Sequence, residues 1–340
     1  MQQVATTSGP RLRGLRLLGL GLAIVLLVQS LFVVSYVGAL HNPKPQNLPF
    51  GVTGSPVLAA AIAKQLSLRT KVYADESAAR RAIDRRDIYG ALITGGSGAK
   101  LLVAPAAGNA VAALLASAFT QAAAATGQKL AVVQVHELPG GDRVGVVSFL
   151  VAMALVVGGY LSATIATTLA GAATGRHRAL TLALVAAAGA LITDLLAGPL
   201  LGAIPGGHFF ELLGIFAFLM LAVALATAAL QTLLGPFGTL IVIVAFVIFG
   251  APAAGGSLPR PFLPEFWATI GPFLPPGAGT TAIRNTIYFE ANGIGQPLLV
   301  LAAYLIAGGV VVLGVRRRSR PPVDAVTDIE AASGATAVVV

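Results

Sequence analysis

The stretch FWATIGPFLPPGAGTTAIRNTIYFEANG, Phe266 to Gly293, decides how many times the chain crosses a membrane. It lies between two long apolar runs, yet it carries a proline- and glycine-rich knot (PPGAG), one arginine, and aromatic residues at both ends. Counted as a crossing, it places the basic cluster RRRSR, Arg316 to Arg320, on the opposite side from Arg11, Arg13 and Arg16. Counted as a broken element that enters the apolar layer and returns, it leaves six spans and keeps these clusters on one side, as the positive-inside rule requires.

The rest of the chain is consistent with membrane residence. Of 340 residues, 56% are hydrophobic and only 10% charged, and the mean hydropathy is +0.85. Soluble domains carry about 25% charged residues. The net charge of +9 raises a nucleic-acid reading, but many basic residues flank apolar runs, where topology signals sit. The expected surroundings are a lipid bilayer, with no nucleic acid. Cysteine is absent, which excludes a disulfide frame, a Cys-ligated metal and a thiol nucleophile.

A span needs about 20 apolar residues. Candidates are Leu15–Leu40, Val144–Ala170, Ala179–Gly202, Phe209–Leu230, Phe237–Gly250 and Pro297–Val315. Val37-Gly38-Ala39 resembles a signal-peptidase site, but the preceding apolar run is longer than a signal h-region, so a retained span is expected. With the N-terminal tail (1–14) inside, Arg176 and Arg178 and the tail 316–340 are also inside. The expectation is a multi-pass protein of the plasma membrane with both termini cytoplasmic.

Residues 41–143 form the one polar region of domain size, expected outside the cytoplasm. LPFGVTG, LRTKVYA, IYGALIT, KLLVAPA and KLAVVQVHEL read as strands. Helices are expected after Ser55-Pro56, after Asp75 as N-cap, and from Asn109 to Thr126. Glu76/Arg80 and Arg80/Asp84 stand one helical turn apart. Alternating strands and helices imply a small α/β sheet. GGSGAK, Gly95 to Lys100, lacks the GxxxxGK[ST] spacing and precedes a strand, so it reads as a hairpin loop and not a phosphate loop. The chain carries no recognisable nucleotide site or cofactor motif of its own, and no catalytic constellation. The fold class expected is an α-helical polytopic membrane protein of six helices, with this α/β domain between helices 1 and 2 and a broken outer-leaflet hairpin between helices 5 and 6. The membrane domain, 144–315, includes the segment 251–296.

Within that segment, Leu263 to Ile270 is expected to form a short amphipathic element, broken by PFLPPGAG. A second short helix follows from TTAIRNTIYF, with Ile283, Ile287 and Tyr288 on its apolar side. The residues Gly255, Gly256, Pro259, Leu263, Pro264, Phe266, Leu274, Pro275, Gly277, Arg284 and Tyr288 follow an order that resembles the last extracytoplasmic segment of ABC-2-type transporter permeases, closest to the phage-infection-protein-like branch. The resemblance in layout extends over nearly the whole chain; at residue level it covers about Phe249 to Tyr288. It implies a dimeric exporter subunit for a hydrophobic or amphipathic compound, a homodimer or a pair with a related permease, powered by a separate ATPase. It also implies an outer gate containing Phe266, Trp267, Pro275, Gly277, Arg284 and Tyr288.

Other candidates have structural alternatives. Asp194 is a carboxylate within a span, either a polar lining or proton site, or a group paired locally near the span's outer end. His208 and Glu211 open the fourth span; a first-turn carboxylate suits the helix dipole, and with Asp194 the two would line an outer vestibule. No HExxH pattern supports a metal there. Arg284 would snorkel to lipid phosphate or pair with Asp194 or Glu211. Arg176, His177 and Arg178 would dock the ATPase or serve only as topology markers. Two rival functions stand beside the exporter: a surface receptor or assembly scaffold acting through residues 41–143, and a proton-coupled transporter using Asp194.

Overall fold

The computed structural model describes residues 10–54, 57–95, 98–169, 174–256 and 258–315. The expected Ser55-Pro56 cap, most of the loop after the second span and the RRRSR tail lie outside the described residues.

Five helices are long and apolar enough to cross a membrane. They are α1 (Pro10–Leu40), α5 (Val147–Leu169), α6 (Gly175–Leu195, extended by a wide π turn Leu196–Leu200), α7 (Phe209–Leu234) and α11 (Gly295–Gly314). The sixth expected span is α8 (Phe237–Ala253), a shorter apolar helix that widens into a π-helical stretch at Ile243–Phe249. Among the described residues the count by length and apolarity is therefore five, with α8 falling short. α7 is the hub, the most enclosed of these helices, packed on α5, α6, α8 and α11. Helix α1 stands at the edge. Ser35 donates to the Ile248 carbonyl at 2.7 Å and Tyr36 to the Val247 carbonyl at 3.3 Å, so α1 is tied to the widened turn of α8. Irregular backbone at such a position needs partners from neighbouring helices.

The α/β domain lies between α1 and α5. Its strands are β1 (Leu48–Thr53), β2 (Leu68–Val72), β3 (Gly90–Gly95), β4 (Gly98–Val103) and β5 (Leu130–Gln134), in the order β2-β1-β3-β4-β5. All neighbours are parallel except β3 and β4, whose register runs from Gly90↔Val103 to Gly95↔Gly98. β3 and β4 thus pair as the arms of a hairpin; positions 96 and 97 of GGSGAK lie outside the described residues. Helices α2 (Val57–Ala63), α3 (Glu76–Asp84) and α4 (Asn109–Ala125) supply the crossovers that parallel pairing demands. Asp75 caps α3, accepting from the Ala78 amide at 2.7 Å. Glu76 meets both Arg80 and Lys100 at 2.8 Å; the Lys100 hydrogen bond first, then that of Arg80, holds its carboxyl below the usual range. The expected Arg80/Asp84 pair does not form, because Asp84 reaches across to His136 at 2.8 Å.

The segment between α8 and α11 departs from expectation in two respects. A short helix α9 (Glu265–Ile270) and a 3-10 turn (Gly271–Phe273) lead to a break at Leu274, whose backbone is extended. PPGAG is not the break. It is the first turn of α10 (Pro275–Tyr288), with prolines where their missing N–H groups are needed least. Helix α10 does not lie on a lipid surface either. It is buried on nearly every face, packed against α5, α7 and α11. Gly279 abuts Leu219, roughly 15 Å along α7 from its start, so the broken pair reaches well into the bundle and returns.

Backbone-to-backbone packing makes this possible. A Cβ on Gly277 would stand 2.0 Å from the Gly271 carbonyl oxygen, and a Cβ on Gly271 would stand 2.0 Å from that of Ala253. Gly277→Val is expected to destabilise the fold by about 1–3 kcal/mol through overpacking. A melting temperature equal to the parent's in the same detergent would mean that these backbones do not touch.

Candidate functional site

The polar residues gather where α10 meets the α/β domain. Arg284 is 5% exposed. Its Nη1 donates to the Gly255 carbonyl and its Nη2 to the Gly145 carbonyl, each at 3.0 Å. Its hydrogen bonds go to neither Asp194 nor Glu211, and its burial excludes snorkelling to lipid. It ties the end of α8 to the start of α5. Beside it, Asp142 accepts from the amides of Gly145, Val146 and Val147 and from the Tyr288 hydroxyl at 2.7 Å.

The next residue, Asn285, accepts from Arg86 Nη1 at 2.6 Å and donates to the Asn292 carbonyl at 2.7 Å. The chain then reverses through Glu290 and Ala291, both at positive φ. Phe289 at this reversal is fully buried among Ala79, Ala82, Ile83, Ile88, Ala91 and Leu102 of the α/β domain. Its ring lies 4.5 Å from that of His136 and 5.4 Å from the Arg86 guanidinium. Phe262, before α9, inserts into the core on the opposite face of the sheet. The broken helix pair is thus pinned to the domain at both of its ends.

Phe266 and Trp267 occupy α9. Phe266 is exposed and packs edge-on against Phe249 and Trp267, while Trp267 Nε1 donates to Ser35 of α1 at 3.3 Å. Pro275 is buried at the start of α10. No family model, no curated protein and no solved structure matches this chain. Its site is therefore read from its own chemistry.

The expected outer vestibule is divided. His208 pairs with Glu211 at 2.9 Å at the mouth of α7. Asp194 is 3% exposed on the inner face of α6, and its Oδ2 has no hydrogen-bond partner. No hydrogen bond joins it to the other two among the described residues. No cluster of three or more metal-ligating side chains occurs among those residues. At the other end of the bundle Arg176 and His177 are exposed, but Arg178 is buried. It donates to Thr167, to Gln231 at 3.1 Å and to Thr232 at 3.2 Å, and Gln231 donates onward to Thr164 and Thr239. Arg178 therefore joins α6 to α5 and α7, which leaves Arg176 and His177 as the surface pair.

Sequence reasoning missed Asp142, Arg86, Asn285 and Phe289. Asp142 had a local signal, an acid five residues ahead of an apolar helix. The other three had none, since their partners lie far away in sequence.

Proposed function

We propose that the protein is the membrane-spanning permease subunit of an exporter for a hydrophobic or amphipathic compound. The observation that carries this reading is the buried broken pair α9–α10. A helix of 14 residues that enters a bundle and turns back does not cross a bilayer, and polar, irregular backbone at that depth suits the wall or cap of a path. The order of residues from Gly255 to Tyr288 supports the ABC-2-type assignment, with two subunits enclosing the path and a separate ATPase acting from the side of Arg176 and His177. In inverted membrane vesicles, uptake of an amphipathic fluorescent dye should then require ATP and stop with vanadate. Affinity purification in mild detergent should bring down an ATPase in stoichiometric amount. Dye uptake that ignores both ATP and vanadate would remove the ABC-2 reading.

A second reading has its own observation, the buried and unpartnered Oδ2 of Asp194. An ionisable group inside a helical bundle is costly and marks ion or proton paths. On this reading a protonophore abolishes uptake while ATP remains, and Asp194→Asn abolishes it too. Uptake that is insensitive to the protonophore and normal in Asp194→Asn would exclude it.

A further inference from the structure

A cavity of about 190 Å³ opens between the α/β domain and α10, lined by Arg85, Arg86, Arg260, Arg284, Asn285 and Gln296 among others. Four arginines line it and no acidic residue does. Two acids beside these arginines are already engaged. Asp142 accepts from three backbone amides and Tyr288, and Asp87 is paired with Arg85 at 3.5 Å. Arg86 and Arg260 are near enough to repel each other, as are Arg284 and Arg86. Burial first, then the charge of Arg260, lowers the pKa of the Arg86 guanidinium. The Arg260 side chain makes no hydrogen bond or ion pair among the described residues.

Arg284 is buried and Arg86 half-buried, while Arg85 and Arg260 stand at the exposed rim; like charges gathered at a partly buried site are costly unless a counter-charge joins them. Among the described residues Asp142 lies near Arg284 and Asp87 near Arg85, but no acidic residue lines the cavity beside Arg86 and Arg260. The lining offers guanidinium groups, whose forks match the oxygens of a phosphate pairwise; the Asn285 and Gln296 amides already donate to the Asn292 and Pro272 carbonyls and have one further N–H each. We infer that this cavity binds a phosphate-bearing anion, held between the α3–β3 turn of the domain and α10. The group would bridge Arg86 and Arg260, which come from separate segments, and so stiffen the junction where the broken helix pair meets the domain. The inference is independent of what the protein exports and of its energy source.

The phosphate could be carried by a soluble ion or by a lipid headgroup, and one experiment separates the two. Full-length protein is purified in a maltoside detergent, and its melting temperature is followed against added pyrophosphate at constant ionic strength, with chloride as control. A parallel series uses detergent micelles doped with phosphatidic acid or with an uncharged diacylglycerol. A saturable rise with pyrophosphate identifies a soluble-ion site, and a rise with phosphatidic acid alone identifies a headgroup site. In either arm Arg260→Gln should raise the half-maximal concentration at least ~10-fold while leaving the melting temperature without ligand unchanged, because the Arg260 side chain is exposed and makes no hydrogen bond or ion pair among the described residues. Lys100→Gln, on the sheet, should leave ligand binding intact. The inference is overturned if neither ligand raises the melting temperature beyond its control, or if Arg260→Gln responds as the parent does.

Discussion

Phe289→Ala is expected to cost about 3–5 kcal/mol, the range for emptying a fully buried phenylalanine site. Its larger consequence is where the loss falls. The ring fills a gap in the α3 face of the sheet and rests against His136 and Arg86, but its backbone belongs to the end of α10. Removing it takes packing from the α/β domain and from the broken helix pair together. Amide hydrogen exchange should therefore rise along residues 275–288 as well as in α3. Phe119→Ala makes the comparison clean. Phe119 is equally buried, stacked on Phe50 at 5.1 Å, but in the core on the opposite face of the sheet, which Phe262 ahead of α9 enters and no residue of α10 does. It should loosen the sheet and leave α10 protected. If exchange in α10 is the same in both variants, the domain and the helix pair are not coupled through Phe289.

That residue also shows the limit of the sequence. TTAIRNTIYF was readable as a helix, and the apolar runs, the Asp75 cap and the alternation in 41–143 were readable too, because each rests on neighbours within a few residues. The start of α10 was misread for a local reason. PPGAG contains strong breakers, yet proline is favoured in a helix's first turn, and the small residues after it serve close packing against Gly271 and Leu219. The shortness of α8 was visible, but its π-helical widening was not. The fates of Arg178 and Arg284 could not be read at all. Each is a cation beside an apolar run, the same local pattern as Arg176, and only the distant groups Thr167, Gln231, Gly145 and Gly255 separate an internal tie from a surface charge. Asp194 was legible as a carboxylate in a span; its lack of a partner was not.

Arg284→Glu is the second change of large expected effect, and the geometry alters what it tests. As a gate residue facing lipid or water, Arg284 could be reversed in charge with the fold intact. Held as it is, 5% exposed and donating to two carbonyls, it cannot. A carboxylate there would face the Gly145 and Gly255 oxygens with nothing to donate, near Asp142, whose own oxygens are already committed. Breaking a buried charged group's partners costs about 3–5 kcal/mol, comparable to the whole stability of many domains. Arg284→Glu should therefore reduce the amount of monodisperse protein extracted from membranes, as read by fluorescence-detected size exclusion. Arg284→Lys retains the charge and can reach one carbonyl but not both in the forked geometry of arginine. It should restore most of the abundance while leaving the ends of α5 and α8 less firmly joined. A loss of export in Arg284→Lys at parental abundance would then speak to the motion of the broken helix pair, whereas the same loss in Arg284→Glu would speak only to folding. Arg284→Glu that is as abundant, monodisperse and heat-resistant as the parent would show that this arginine is not the internal tie between α5 and α8.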